Sequence, residues 1–587
     1  MAGFLLLRRN NGELFSDKAL QAFKESGLSA PAEYSLGDFT LYLYHKMAEQ
    51  EPCVVQNGQD FCTAIGAYIY KGLPYKQSLE ATMKDATENK LAFEEMLGQY
   101  TLIIYVNNRI CMVSDALSSK HFFSDRKYSF FSSSFFAAVA AVGKCSINNL
   151  AVCEKMLTGI IISPATLVNE IVQMNRNEQI NANQKNCGIS FLIQPEMEIK
   201  PLHKSGKVES LRNQAETIRQ YFTKIAPALE EDRVDLGLSA GHDSSLLFAA
   251  IFPFFREKLH LHTHSTGHVH DREKRAAIDM AHVKKLEMTV VPTPRLDEAG
   301  IDLSTLLQEN LLFFDGRTSH DIGGFSATYR ASYRLQATDG CQTALTGVGG
   351  ECFRNHYSVK GRKMDADKFF SDKAFNRSFY ESCPKELAEQ VKEYHLRKAE
   401  AILKIPLHGK VSRLNLRRYY SEILMADGQG NVIDAYNTVS HCIAPFMDPF
   451  ILKEAYRGMK YLGNCGEYES ALINELDPEI GACVNANNGY PFNHIPLKLR
   501  MKEAVRASVS NDLWGKLNSL KEKRNHAKGK DEYLNKVLGK SNELAEAFES
   551  LRKRFSEINF DTVVKGYAMD ALVEYLALTV RKLTDEH

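Results

Sequence analysis

From Val234 onward, short apolar runs alternate with longer amphipathic stretches, and few architectures can bury that pattern. Val234 to Leu238, Leu259 to His264, Met288 to Val291 and Thr343 to Leu345 read as buried strands, and Glu273 to Leu286 and Ser326 to Ala337 read as helices between them. Strands joined through helices run parallel, so the expectation is an α/β domain whose parallel sheet carries helices on its faces.

The chain before about residue 200 has another texture. Phe4 to Leu7, Phe39 to Tyr44, Ala64 to Tyr70, Thr101 to Val106, Ile110 to Ser114 and Tyr128 to Ser132 read as short strands with little helix. Asn107-Asn108 between two apolar runs predicts a two-residue hairpin turn. The change of texture places a boundary near residues 200 to 215. After about residue 410 the pattern is mainly helical, and from Lys498 it is rich in Lys, Arg, Glu and Leu.

A length of 587 residues suits two or more cores, and an apolar fraction of 44% is enough to fill them. Lys plus Arg and Asp plus Glu are equal at 72 each, so no overall field draws nucleic acid or an anionic membrane. The densest basic run, Lys521 to Lys530, has little aromatic interleaving and reads as solvated. No uncharged apolar stretch approaches the roughly 18 to 20 residues of a membrane-spanning helix, and the N-terminus lacks the layout of a signal peptide. The twelve cysteines form no C-x-x-C pair, which argues against a zinc site or a secreted disulfide framework. A soluble cytoplasmic protein with mostly inert thiols is the expectation.

The chemistry concentrates between Val234 and Ala250, where a strand ends in a small polar turn and a helix begins at once. Ser239, Ala240 and Gly241 let an anion approach the backbone. The helix start offers unpaired N–H groups and a positive dipole end, and Ser244 and Ser245 add hydroxyls. Asp243 would repel a bare polyphosphate and makes sense beside a magnesium ion. The alternative is that Ser239 and Asp243 merely cap a helix. A Walker loop is absent: Gly539-Lys540-Ser541 lacks the upstream glycine.

Leu238 to Ser245, Leu-Ser-Ala-Gly-His-Asp-Ser-Ser, resembles the S-G-G-x-D-S pyrophosphate loop of the asparagine synthetase family, with Ala240 in place of a glycine. Two later segments fit the same family in order: Leu345 to Phe353 resembles S-G-E-G-A-D-E-L-F, and Ile443 to Asp448 resembles R-V-P-F-L-D. The resemblance implies an N-terminal β-rich αββα sandwich of the Ntn-hydrolase-like, glutaminase-like kind (residues 1–205). It further implies a parallel-sheet α/β domain of the PP-loop type that binds ATP (206–500), with a helical extension (501–587). By resemblance, Asp243 and Glu351 hold Mg²⁺ and the β and γ phosphates, Leu238 and His264 to Thr266, Ser265 among them, contact the nucleoside, and Thr346 with Gly347 faces the α phosphate. A carboxylate substrate attacks that phosphorus, pyrophosphate leaves, and an amine attacks the acyl-adenylate.

Departures from the family narrow the expectation. Glutamine-dependent members expose a cysteine at the start of the chain, where this one has Ala2, and the usual glutamine-binding segments are missing. The N-terminal domain therefore reads as a retained scaffold, as in β-lactam synthetases and lasso-peptide cyclases. Val348 stands where asparagine synthetases carry a Glu that meets ammonia, which favours an amine belonging to a larger small-molecule or peptide substrate. Glu351 replaces an Asp, and the family's lysine has no clear match in Val484 to Pro491; Lys498 and Arg500 are the nearby candidates. His260, His262, His264, His268 and His270 read as satisfied or solvent-facing histidines, since no Cys or Glu set completes a metal sphere. The leading expectation is an ATP- and Mg²⁺-dependent amide-forming ligase, as a homodimer or with a biosynthetic partner protein. Asparagine synthetase proper and a catalytically silent nucleotide-binding module are the alternatives.

Overall fold

In the strand Gly3–Arg8 the side chains of Phe4 and Leu6 point to one side and those of Leu5 and Leu7 to the other, and all four are buried, so the strand lies between two apolar layers. The computed structural model describes residues 1–9, 14–49, 53–174, 180–183, 190–191, 206–230, 233–265, 271–293, 302–318, 330–357, 363–464, 466–508, 542–560 and 569–585. Gly3–Arg8 sits in a six-stranded antiparallel sheet in the order Ile171–Gln173, Phe123–Asp125, Phe130–Ser132, Gly3–Arg8, Phe39–Tyr44, Ala32–Leu36. A second six-stranded antiparallel sheet runs Ser190–Phe191, Ile180–Asn183, Arg109–Ser114, Tyr100–Val106, Asp60–Gly66, Val55–Asn57. Phe4, Leu6, Leu41 and Leu43 of the first meet Phe61, Ile65, Ile103 and Met112 of the second in one core.

Helices Ser16–Glu25 and Phe135–Val142 pack on the outer face of the first sheet, and Tyr75–Thr87 on that of the second. With Asn149–Thr158 they correct the expectation of little helix before residue 200. Phe135–Val142 is buried nearly all round and apolar all round, so it has no amphipathic period to read. The expected strand Ala64 to Tyr70 is broken: Asp60–Gly66 ends at a glycine with φ of 99°, and Ile69–Tyr70 pairs elsewhere, with Met96–Leu97. Asn107 and Asn108 both have positive φ, 53° and 59°, and join Tyr100–Val106 to Arg109–Ser114 as the hairpin turn expected.

The parallel sheet has five strands in the order Met288–Pro292, Leu259–Ser265, Val234–Gly237, Thr343–Leu345, His441–Ile443. Four were legible as strands; His441–Ile443 was not. Helices Lys207–Ile225, His242–Phe255 and Pro449–Arg457 pack on the face of Val234 and Leu236 through Phe222, Leu246 and Leu452. Ala331–Thr338 and Gly430–Val439 stand against the opposite face, that of Asp235, through Arg334 and Tyr436. The helix expected at Glu273 to Leu286 is Arg272–Val283. That expected at Ser326 to Ala337 is Ala331–Thr338, residues 326–329 lying outside the described residues.

The outer edge of His441–Ile443 is closed by side chains. Cys442 N–H donates to Asn437 Oδ1 at 3.0 Å and Asn437 Nδ2 donates to the Cys442 carbonyl at 3.0 Å, while Gln99 pairs in the same way with Ala444. Farther along, helices Lys385–Leu403, Asn542–Arg554 and Met569–Asp585 share a core with Asn149–Thr158. The fold is thus mixed α/β, with a parallel sheet and separate antiparallel sheets among the described residues. Among the described residues no helix is long and apolar enough to cross a membrane.

Candidate active site

The order of the parallel strands reverses between Val234–Gly237 and Thr343–Leu345: the strands following the first in sequence go to one side, the later ones to the other. The crevice at the carboxyl ends of such a pair is where open α/β sheets take ligands. Both chemically informative turns emerge there.

In the first turn, Leu238 is buried and donates its N–H to the His262 carbonyl at 2.8 Å. Ser239 is exposed, its Oγ 3.1 Å from Ser244 Oγ and accepting the Gly241 N–H at 3.3 Å. Ala240 is buried with φ of 53°, the left-handed region that glycine favours. Gly241 stands before the helix His242–Phe255, and no side chain caps it, contrary to the capping alternative for Ser239 and Asp243. The first-turn N–H groups are therefore left for an anion. Ser245 is fully buried and its Oγ has no hydrogen-bond partner.

The second turn is pressed onto the first. A Cβ added at Gly347 would lie 2.7 Å from the Asp243 carbonyl, and one at Gly350 would lie 2.3 Å from Asp243 Oδ1. Thr346 donates its N–H to the Ile443 carbonyl at 2.9 Å, and Val348 is half-buried beside it. Asp243 and Glu351, far apart in sequence, are thereby brought to one cluster.

Two members of that cluster were not read from sequence: Arg354, on the second turn, and Glu469, on the helix Glu467–Leu476. Arg354 Nη2 donates to both oxygens of Asp243 at 2.9 and 2.8 Å and stands 3.5 Å from Glu351 Oε1. Its Nε lies 3.1 Å from Glu469 Oε2. Glu469 is wholly buried and neither of its oxygens makes a hydrogen bond, nor does Glu351 Oε2. Burial and then the Asp243 charge push the Glu351 carboxyl up to about 7, and burial, outweighing Arg354, pushes that of Glu469 well up. Three acidic side chains thus share one guanidinium, and oxygens left without hydrogen-bond partners among them suit a hard cation, whose charge would draw the buried carboxyls into their ionised form.

Behind the first turn, His242 packs against Phe492 and lies 3.1 Å from Ser470 Oγ and from Asn485 Nδ2. Burial and then Arg354 push its imidazole down to about 3, so it is neutral. The segment 484–491 closes over this side, with Ala486 N–H donating to the Ala240 carbonyl at 2.9 Å. Lys498 is exposed on the helix Leu497–Ser508, and no ion pair among the described residues joins it to the cluster; Arg500 faces Glu467 at 3.8 Å.

At the end of the neighbouring strand His264 stacks on Tyr333, with Nδ1 2.9 Å from its hydroxyl, and Ser265 is buried. His260 and His262 place their Nδ1 atoms 3.0 and 2.7 Å from Asp235 Oδ1, and Arg334 donates to the other oxygen at 3.4 Å. The second nitrogen of His260 meets Thr289 Oγ1 at 3.1 Å. These donors are close enough to hold an ion, but the hydrogen bonds and the adjacent guanidinium already satisfy the carboxylate. Thr266, His268, His270, the run Lys521 to Lys530 and Gly539-Lys540-Ser541 lie outside the described residues. Comparison of the chain with protein-family models finds no match, and comparison with curated proteins finds none either.

Proposed function

We propose that this chain is an ATP-dependent, AMP-forming ligase of asparagine-synthetase-like logic, joining a carboxylate to an amine through an acyl-adenylate. The observation that carries the reading is the meeting of the two turns at the strand-order reversal, an uncapped helix start on one side and Asp243 with Glu351 between them. Backbone N–H groups and the hydroxyls of Ser239, Ser244 and Ser245 suit phosphate oxygens.

The donor set fits Mg²⁺: carboxylate oxygens dominate, and buried oxygens of Glu351 and Glu469 lack hydrogen-bond partners. Asp243 and Glu351 would hold the ion, which when bound neutralises charge on the leaving phosphates. On the same reading Leu238, His264 and Ser265 contact the nucleoside, and Thr346 with Gly347 the α phosphate. A carboxylate oxygen attacks the α phosphorus, the bond to the bridging oxygen breaks, and pyrophosphate departs with the electron pair. The amine nitrogen then attacks the acyl carbon, loses its proton, and AMP leaves. Prepositioned donors can supply much of the acceleration.

The finer folds belong to the same proposal. Paired antiparallel sheets between helices fit an Ntn-hydrolase-like scaffold, and the five-stranded parallel order fits a PP-loop domain. Ala2 is buried in the core of the first sheet, and Val348 is apolar, so neither handles ammonia. A larger amine is the better substrate, as a small molecule or a peptide.

The test is pyrophosphate and AMP release from ATP over a panel of carboxylates, with and without amines. Asp243→Ala is expected to abolish release without lowering the melting temperature. ADP and phosphate as products would exclude adenylation. One observation favours a second reading, a nucleotide-binding module without turnover: Arg354 already stands among the acids that would hold the metal. ATP binding with no pyrophosphate from any substrate would support it.

A further inference from the structure

We infer that Arg354 works in two positions: a stand-in cation between Asp243 and Glu351 before metal binds, and a donor to the departing pyrophosphate once metal and nucleotide are bound, with Glu469 as its pivot. The inference rests on the adenylation reading above.

The first position is the one described. One guanidinium nitrogen lies 2.8 Å from Asp243 and 3.5 Å from Glu351, the two acids that would hold the ion. A cation at those oxygens and the guanidinium exclude each other. Either Arg354 gives way or no metal enters.

The pivot is what allows it to give way. Nε is held 3.1 Å from Glu469, whose side chain is wholly buried on another helix, while the Arg354 side chain is 22% exposed. When the outer nitrogens leave Asp243, the guanidinium keeps one buried partner at Nε, so it turns about a contact that stays made. The displaced outer nitrogens then lie beside the helix start of His242–Phe255, where phosphate oxygens are expected, and a planar fork of N–H donors suits them. Arg354 is on this account a catalytic residue and Glu469 a positioning one.

The experiment uses the full chain in two arms. The first titrates Mn²⁺ without nucleotide, following free Mn²⁺ by electron paramagnetic resonance. The second measures Mn·ATP affinity and pyrophosphate release. Arg354→Gln is expected to bind Mn²⁺ about tenfold more tightly than the parent, because the stand-in is gone. It is expected to hold Mn·ATP within about tenfold, and to release pyrophosphate about 100-fold more slowly. Arg354→Lys keeps a charge and serves if the Gln variant fails to fold; it is expected to bind Mn²⁺ like the parent but turn over about tenfold more slowly. Glu469→Gln is expected to lower kcat with little change in KM for ATP. Unchanged Mn²⁺ affinity in Arg354→Gln overturns the stand-in role, and unchanged pyrophosphate release overturns the catalytic one. Failure of the adenylation reading looks different: the parent itself yields ADP or no pyrophosphate, which removes the catalytic role whatever the Mn²⁺ titration shows.

Discussion

Gln99 clasps the backbone of Ala444: Ala444 N–H donates to Gln99 Oε1 at 2.7 Å, and Gln99 Nε2 donates to the Ala444 carbonyl at 3.2 Å. Both residues are buried. One side-chain amide thereby ties the second antiparallel sheet to the turn leaving the last parallel strand. Gln99→Ala would strand a buried N–H and a buried C=O, at about 1–3 kcal/mol for each group. A fall in the urea midpoint worth about 2–6 kcal/mol is expected; a shift under about 1 kcal/mol would show that the clasp is replaced by water.

Gly350→Ala should disable the site while sparing the fold. The added methyl would meet Asp243 Oδ1 at 2.3 Å, so the carboxylate has to move from Arg354. Nucleotide affinity or pyrophosphate release is expected to fall by about tenfold or more, with the melting temperature changed by a few degrees. Wild-type turnover would mean that Asp243 tolerates the displacement.

Ala240 gives a test of backbone strain. Its φ of 53° costs an L-residue about 1–2 kcal/mol, and burial of its methyl returns about 0.8 kcal/mol. Ala240→Gly is therefore expected to change stability by no more than about 1 kcal/mol. Ala240→Val, β-branched and in a closed space, is expected to cost more than about 2 kcal/mol. Thermal melting of both variants gives the comparison, and equal effects would contradict it.

Asp448 makes stability depend on pH. It accepts the Phe450 N–H at 2.8 Å at the start of the helix Pro449–Arg457, and burial pushes its carboxyl from 3.8 up to about 7. Between those values the folded protein keeps a proton that the unfolded chain gives up. Stability from this group therefore falls as pH rises through that window and is level above it. Asp448→Asn keeps the accepting oxygen and carries no proton to lose, so it is expected to flatten the slope and gain stability at pH 8. The gain is about 1.4 kcal/mol for each tenfold difference in proton affinity between the folded and unfolded chain that the substitution abolishes. Denaturation at pH 4.5, 6 and 8, as the difference between variant and parent, isolates the group.

What was legible in the sequence were features with a local cause. Asn107-Asn108 specifies a turn by the positive φ that asparagine tolerates, and Thr343–Leu345 is an apolar run between helices. Ala240 looked like a departure from a glycine position, and its left-handed backbone gives that departure a physical meaning. Phe135–Val142 escaped because burial on every side erases helical periodicity. His441–Ile443 escaped because three residues carry no pattern. In the site, Asp243 and Glu351 lie on turns whose small residues advertise them. Glu469 sits on a helix beside Glu467 and Glu475, where one more acid looks solvated until the packing of Tyr468 and Leu472 shows which face is inside.

The side-chain amides along His441–Ile443 have a consequence for life among other copies. The outward N–H and C=O of Cys442 are taken by Asn437, and those of Ala444 by Gln99. A bare parallel edge is a template on which a strand from another molecule can grow. These two residues imitate the next strand without being one, so this edge of the sheet is filled from within the chain and does not offer its backbone to another copy.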